Sequence, residues 1–150
     1  MVAIEVNGKI ETFGSVPRKW SDENGLHLNI GNGAEYGFKE VVQPTYDSRI
    51  QELDNLHLDG DVYTYDVIDK TFTETLAELK SEKIANLKYA IGGMLFATDW
   101  YIIREADSGE ATPAKIRGER AALRTQSDEL EAEINALTTK KAVVLFDINL

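Results

Sequence analysis

The spacing of apolar residues changes near residue 72, and this change limits the fold more than any other feature of the chain. Before that point, short alternating runs are separated by Gly, Pro and Asn/Asp clusters, a pattern typical of strands and turns. After it, apolar residues recur three to five positions apart, as on one face of a helix. The sequence therefore predicts an α+β chain. An N-terminal antiparallel β-domain covers 1–72, and a C-terminal α-helical hairpin with a terminal strand covers 73–150.

The predicted β-domain opens with a β-hairpin. Residues 2–6 alternate as in a half-buried strand, and Asn7-Gly8 supplies the two residues with positive φ that a type I′ turn needs. The segment 45–55 fits either a loop or a short helix. Further strands are predicted at 26–30, 36–42 and 62–68.

Two helices are predicted in the C-terminal part, at 73–98 and about 113–139, joined by a polar connector over 104–112. Gly92-Gly93 weakens the first helix by about 1 kcal/mol per Gly relative to Ala. The pair is therefore interpreted as a place where another backbone packs closely. The final run, 142–150, is mostly apolar and is predicted to add a strand to its own sheet or to that of a neighbour.

The second predicted helix carries a repeat and an uneven charge. Its apolar residues recur every seven positions, which fits either a hairpin packed on the first helix or a coiled-coil seam between copies. Its first half is basic and its second half acidic, against the helix macrodipole, so the charges either pair with a partner or form a solvated face. The repeat consists of Ile116, Leu123, Leu130 and Leu137.

Candidate interface residues come from these patterns and from one adjacent aromatic pair. Trp and Tyr are frequent at interfaces, but a pair at the end of a helix could equally anchor that helix within the chain. The candidates are Trp100, Tyr101, Arg117, Arg120, Leu123, Arg124, Leu130, Val143, Val144, Leu145 and Phe146.

Charge and composition argue against several classes of partner. The chain has 26 acidic and 16 basic residues and a net charge of −10, which disfavours nucleic acid as a partner. It has no Cys, which excludes disulfides and thiolate metal sites. No apolar run approaches the roughly 20 residues of a membrane span, and the first residues do not resemble a signal peptide. Synthesis in a cytoplasm is expected, with export only inside a larger assembly.

Motifs for catalysis and for metal or cofactor binding were not found in the sequence. It has no GxSxG, no phosphate-binding loop and no HExxH, and the GNGAEYG segment at 31–37 is not followed by a predicted helix. His27 and His57 match no zinc spacing, and the Asp residues of 54–61 match no calcium loop. We therefore expect no enzyme activity, no cofactor and no metal.

A series of short motifs resembles a known group of proteins. Its members are small tail-associated proteins of bacteriophages, of the tail-fibre, tail-fibre-assembly or baseplate type, and the resemblance covers about 15–135. The motifs are Val16-Pro17-Arg18-Lys19-Trp20, Pro44-Thr45-Tyr46-Asp47, the segment 63–71, Ala97-Thr98-Asp99-Trp100, and a proline followed by an Arg-rich helix.

The resemblance implies a tail-associated role, since some members of the group remain in the virion and others act as released chaperones. The long second helix and the apolar C-terminal run favour a structural component of the virion tail, made in the host cytoplasm. Such a component works as a homo-oligomer and contacts fibre or baseplate subunits. The first alternative is a chaperone that binds a tail fibre during assembly and is then released. A further alternative is a carbohydrate-binding or glycan-hydrolysing module, in which Trp20 and Trp100 would stack on sugar rings.

Overall fold

The computed structural model describes residues 1–150 and has an α+β fold. The chain divides into two compact units, Met1–Lys70 and Thr71–Leu150. All strands lie in the first unit and all α-helices in the second, so the change of apolar period near residue 72 marks a real change of secondary structure.

The N-terminal unit is built from a curled five-stranded sheet and a separate hairpin. The sheet has the order β2-β1-β5-β7-β6, and β3 pairs with β4. The strands are β1 (Val2–Val6), β2 (Lys9–Phe13), β3 (Lys19–Asp22), β4 (Gly25–Leu28), β5 (Lys39–Val42), β6 (Gln51–Asp59) and β7 (Val62–Asp69).

The first hairpin forms where the sequence predicts it. Strands β1 and β2 pair antiparallel with Val6 opposite Lys9, and the two loop residues have positive φ, 51° at Asn7 and 75° at Gly8. These angles suit a type I′ turn, whose twist matches that of the strands it joins.

The sheet is not wholly antiparallel, and this part of the sequence-based prediction is wrong. Strand β5 pairs with β7 in parallel, with Val41 opposite Tyr63, whereas β6 and β7 form an antiparallel hairpin. The chain reverses direction twice between β5 and β7, so these two strands run the same way when they become neighbours. Strand β6 is thereby left at the edge of the sheet.

Strand β6 begins at Gln51, within the segment that the sequence left open between loop and short helix. Its register shifts between Asp54 and Leu56, where Asn55 has a φ of 37°. Asn tolerates this left-handed region better than most residues, which allows the bulge. The bulge breaks the alternation of side chains, so the strand was not recognisable from its pattern.

The predicted strand over 36–42 is shorter than expected. A 3-10 turn occupies Ala34–Tyr36, and strand β5 starts only at Lys39. Gly33, before the turn, has a φ of 73°, and a Cβ atom there would lie 2.8 Å from Cδ2 of Phe38. Glycine is therefore required at this position by both its backbone angle and the close approach of Phe38.

Apolar side chains pack on both sides of strand β1, because neighbouring residues of a strand point to opposite faces. Ala3 packs in one cluster with Val41 and Tyr63, all buried. Ile4 is also buried, and the buried ring of Phe38 lies edge-on to the rings of Phe13 and Trp20.

The C-terminal unit contains four helices. The first begins after Thr75, whose hydroxyl accepts a hydrogen bond from the Glu78 backbone N–H while the Glu78 carboxylate binds the Thr75 N–H. This reciprocal capping box fixes the start of the helix at Leu76, three residues after the predicted start at residue 73. The helices are α1 (Leu76–Phe96), α2 (Asp99–Ser108), α3 (Ala114–Ala136) and α4 (Lys140–Leu145).

Helices α1 and α3 pack against each other in opposite directions, as the hairpin interpretation of the seven-residue repeat requires. The Lys80 ammonium, early in α1, donates to the Asn135 carbonyl at the end of α3, whereas Arg120, early in α3, binds the last residues of α1. The shared core is built on Leu87, Ile91 and Ile134.

The C-terminal run is a short helix and not a strand. Thr139 caps α4 by accepting a hydrogen bond from the Ala142 N–H, and Val143 is buried. Phe146 and Ile148, beyond the helix, pack on the core of α1 and α3. The run lacks alternation because both the helix and the extended tail that follows it bury apolar side chains.

Candidate functional site

Cations from neighbouring helices bind the C-terminal carbonyl groups of three helices in the C-terminal unit. No helix there has a basic residue in its own last turn. Instead, Arg120 binds the end of α1, Lys80 binds the Asn135 carbonyl at the end of α3, and Lys83 donates to the Phe146 carbonyl after α4. Each cation meets carbonyl groups that no helix can satisfy internally, at the negative end of a helix dipole.

Arg120 is the most deeply placed of these cations, with 7% of its surface exposed. Its Nη1 donates to the Leu95 carbonyl and to the Thr98 hydroxyl, both at 2.7 Å, and its Nη2 donates to an Asp99 carboxylate oxygen at 2.8 Å. One side chain therefore joins the end of α1, the start of α2 and the first half of α3. The interface role predicted for Arg120 does not fit this buried position.

The uneven charge of α3 is matched by the helices beside it. The Arg117 guanidinium forms an ion pair with Glu105 of α2, and Glu131, in the acidic half, pairs with Lys88 of α1 at 3.0 Å. Part of the charge pattern of α3 is therefore paired within the chain.

The two adjacent aromatic residues lie in α2, and not at the end of α1 as the sequence predicted. The rings of Trp100 and Tyr101 have centroids 3.8 Å apart, and the guanidinium of Arg104 lies 4.9 Å from the Trp100 ring. Half of the Trp100 surface is exposed, whereas Tyr101 is half-buried. Trp100 therefore remains a candidate for contact with a partner.

Half of the other predicted interface residues are used in the core of the helical unit. Val143 is buried, and Leu123, Leu130 and Phe146 pack on the core around Leu87 and Ile134. Those that are half-buried or exposed and lie outside this core are Arg117, Arg124, Val144 and Leu145. The apolar interface predicted from the repeat and the C-terminal run is thus mainly internal packing.

The structure instead exposes an apolar surface on α1 that sequence analysis missed. Tyr89 and Phe96 are 86% and 78% exposed, and with Lys88, Ala90, Gly92 and Gly93 they line a shallow groove of about 550 Å³. We call the four residues Tyr89, Gly92, Gly93 and Phe96 the aromatic face. A signal was present, because the four residues have the spacing of one helix face and stand within ten uncharged residues, 89–98.

Glu105 stabilises the connector between α2 and α3. Its carboxylate accepts a hydrogen bond from the Thr112 backbone N–H at 3.2 Å and pairs with Arg117. The hydrogen bonds from Thr112, followed by the charge of Arg117, hold the pKa of Glu105 below its usual value of 4.5. Thr112 makes a further contact with α2, because its hydroxyl donates to the Tyr101 carbonyl.

We expect Glu105→Gln to reduce the stability of the helical unit at pH 7 and to make stability less sensitive to acid. Because folding lowers the pKa of Glu105, its carboxylate stabilises the folded state at pH values above 4.5, the pKa of the unfolded chain. This stabilisation is lost as the pH falls from 4.5 through the lower pKa of the folded state. Urea unfolding at pH 7 and pH 3 measures both effects. Glu133→Gln, at an exposed position of α3, is the control. An equal loss at both pH values would contradict this assignment.

The N-terminal unit has an open groove of about 540 Å³. Trp20, Tyr36 and Asp22 are among its lining residues, and Asp22 accepts a hydrogen bond from His27 Nε2 at 2.9 Å. This hydrogen bond is the main reason that the pKa of Asp22 is lowered. Trp20 is half-buried against Phe13 and Phe38, so packing accounts for much of its surface.

Comparisons with family models, curated proteins and solved structures give no match to this chain. The resemblance to phage tail proteins therefore stays a prediction. The helices are too short or too polar to cross a membrane, and no three or more acidic or His residues are grouped as a metal site would need.

Proposed function

We propose that the protein is a non-enzymatic structural component of a bacteriophage tail, in the region of the baseplate or fibres, and that it docks neighbouring subunits in repeated copies. The observation that carries the proposal is the aromatic face of α1. Tyr89 and Phe96 project from a stable helix with most of their surface exposed. Exposed apolar patches of this kind mark protein interaction sites.

Several features support docking as the role of the helical unit. The exposed aromatic side chains lie on regular helices, which hold them in fixed positions. Trp100 is half exposed and Ile103 is 66% exposed on α2. The net charge of −10 keeps the rest of the surface soluble, while the segment 89–98 carries no charge.

The N-terminal unit would contact a second kind of subunit. Its sheet ends in β2 on one side and β6 on the other, and both strands have unpaired backbone groups that a neighbouring strand could bind. In the proposed mechanism, the β-unit holds one tail protein and the helical unit holds another copy or another subunit.

The location of the protein tests this proposal. Phage particles purified from the strain that encodes the chain should each contain several copies of it. Quantitative mass spectrometry, with a known tail protein as the reference, measures the copy number. The same measurement on the cleared lysate gives the unassembled pool. Presence in the lysate together with absence from mature particles would overturn the structural role and support the released chaperone.

The glycan-binding alternative has weaker support. The groove beside Trp20 and Tyr36 has aromatic and acidic lining, as a sugar site would need, but the Trp20 ring packs edge-on against Phe13 and Phe38. Trp100 lies beside Tyr101 and Arg104, in the other unit.

A further inference from the structure

We propose that the aromatic face of α1 binds the same face of a second copy of this chain, with the two helices antiparallel. The inference rests on the proposed function for its biological context and specifies the surface through which copies associate. A two-fold axis would pass beside Gly92-Gly93, so that Tyr89 of each copy packs on Phe96 of the other.

The sequence of the face is symmetric about its two glycines. Tyr89 lies three residues before Gly92, and Phe96 lies three residues after Gly93. An antiparallel pair centred on the glycines therefore places a large ring opposite a large ring at each end and glycine opposite glycine at the centre. This is the self-complementarity that a two-fold interface demands, since the same patch must serve on both sides.

The glycines have no evident purpose within a single chain. Each costs about 1 kcal/mol of helix stability relative to Ala. A Cβ atom at Gly92 or Gly93 would have no neighbour within 4 Å, so no other part of the chain approaches them. A partner helix would use this space, because missing side chains allow two helix backbones to approach closely.

The available area is enough for a dimer of moderate affinity. With about 200 Å² for each aromatic side chain, the exposed parts of Tyr89 and Phe96 amount to roughly 300 Å² per copy. The proposed contact extends to the exposed side chains of Trp100 and Ile103 on α2, which starts three residues after α1 ends, and their surface would raise the total over two copies to roughly 1,000 Å². This value is at the low end for specific complexes, so we expect a dissociation constant in the micromolar range.

Charge favours the antiparallel arrangement. A parallel pair would place Lys88 and Glu82 opposite the same residues of the other copy and would align the two helix dipoles. In the antiparallel pair, the uncharged segment 89–98 of each copy covers that of the other. The contact between these segments therefore brings no like charges together.

The association state of the full chain tests the proposal. Sedimentation velocity at increasing concentration should give a species of twice 16.7 kDa. Gly93→Arg should weaken dimer formation at least 10-fold, because the side chain fills the space needed by the partner. The variant should still fold, since the position is open within the chain and Arg is a better helix former than Gly. Far-UV circular dichroism verifies this.

A matched substitution controls for the added charge and size. Gly118 lies in α3, is exposed, and has no atom within 4 Å of a Cβ position, so Gly118→Arg repeats the change away from the aromatic face. It should dimerise like the original chain. A monomeric original chain, or a dimer that Gly93→Arg leaves unchanged, would overturn the proposal.

Disulfide trapping tests the direction of the helices, because the chain has no Cys of its own. A mixture of the Tyr89→Cys and Phe96→Cys variants should form mixed disulfides. In an antiparallel pair, position 89 of one copy would lie about 10 Å along the helix axis from position 89 of the other, as would the two positions 96, so each variant should cross-link poorly to itself. Dominant cross-linking of each variant to itself would contradict the antiparallel pair. If the chain were monomeric but present in phage particles, the dimer proposal would be wrong and the proposed tail function would still be supported.

Discussion

Replacing Arg120 with Met is expected to lower the free energy of unfolding of the helical unit by about 3 kcal/mol. Met keeps much of the buried stem but removes the donors to the Leu95 carbonyl, the Thr98 hydroxyl and the Asp99 carboxylate. The Leu95 carbonyl would keep the hydrogen bonds from the Thr98 N–H and hydroxyl, but the Asp99 carboxylate and the Thr98 hydroxyl would lose their charged donor. Because the three acceptors lie where α1 passes into α2, the loss should loosen both helices.

Urea unfolding followed by circular dichroism at 222 nm measures the effect. Arg124→Met is the matched control, because Arg124 lies one turn further along α3 and is exposed. Its change should be within about 0.5 kcal/mol. Arg120→Lys should fall between the two, since an ammonium keeps the charge but cannot reproduce the planar fork of donors. Equal stabilities of the Arg120→Met and Arg124→Met variants would contradict the joining role of Arg120.

The position of Arg120 explains why sequence analysis assigned it to the surface. The residues at 120, 127 and 134 recur every seven positions, and all three are buried in the structure. Two of them are polar, so an apolar pattern could not mark this face as internal. The acceptors of Arg120 lie 21 to 25 residues away in the chain, and their proximity depends on the packing of α1 on α3.

Local signals predicted the elements that depend on local geometry. Asn7 and Gly8 adopt positive φ readily, so the two residues specify the turn by themselves, without help from the neighbouring strands. The helical period from residue 73 predicted two long helices, and both are present as α1 and α3. The first helix begins at Leu76 and not at residue 73, because the reciprocal hydrogen bonds between Thr75 and Glu78 fix its start.

Elements that depend on distant pairing were not predictable in the same way. The segment from Gln51 becomes a strand because it pairs with β7. The parallel contact of β7 with β5 arises because β7 lies between β5 and β6 in the sheet. The aromatic face was missed for a related reason. Tyr89 and Phe96 belong to a helix whose other side carries Leu87 and Ile91, and periodicity alone does not say which apolar residues remain exposed.

The C-terminal run shows how one physical requirement can be met by different structures. The sequence predicted that these apolar residues form a strand that joins the chain's own sheet or that of a neighbour. The structure covers them with a capped turn of helix, in which Val143 is buried, and with Phe146 and Ile148 packed on the hairpin core. Lys83 reinforces this arrangement by donating to the Val144 and Phe146 carbonyls.

Deleting residues 142–150 is therefore expected to cost at least 4 kcal/mol of stability in the helical unit. Loss of three buried or partly buried apolar side chains accounts for this, at about 1.5 to 2 kcal/mol each. The deletion also uncovers the core around Leu87, Ile91 and Ile134. We expect a strong increase in binding of a fluorescent apolar dye and a lower midpoint of urea unfolding.

A shorter deletion separates the apolar contacts from the mere loss of the terminus. Removing 149–150 eliminates only two exposed residues and the hydrogen bond from Gln126 to the Asn149 carbonyl, while Val143, Phe146 and Ile148 remain. This variant should keep almost all of its stability and bind little dye. If removal of 142–150 had no greater effect than removal of 149–150, the C-terminal segment would not form part of the core, and its packing would be incorrectly assigned.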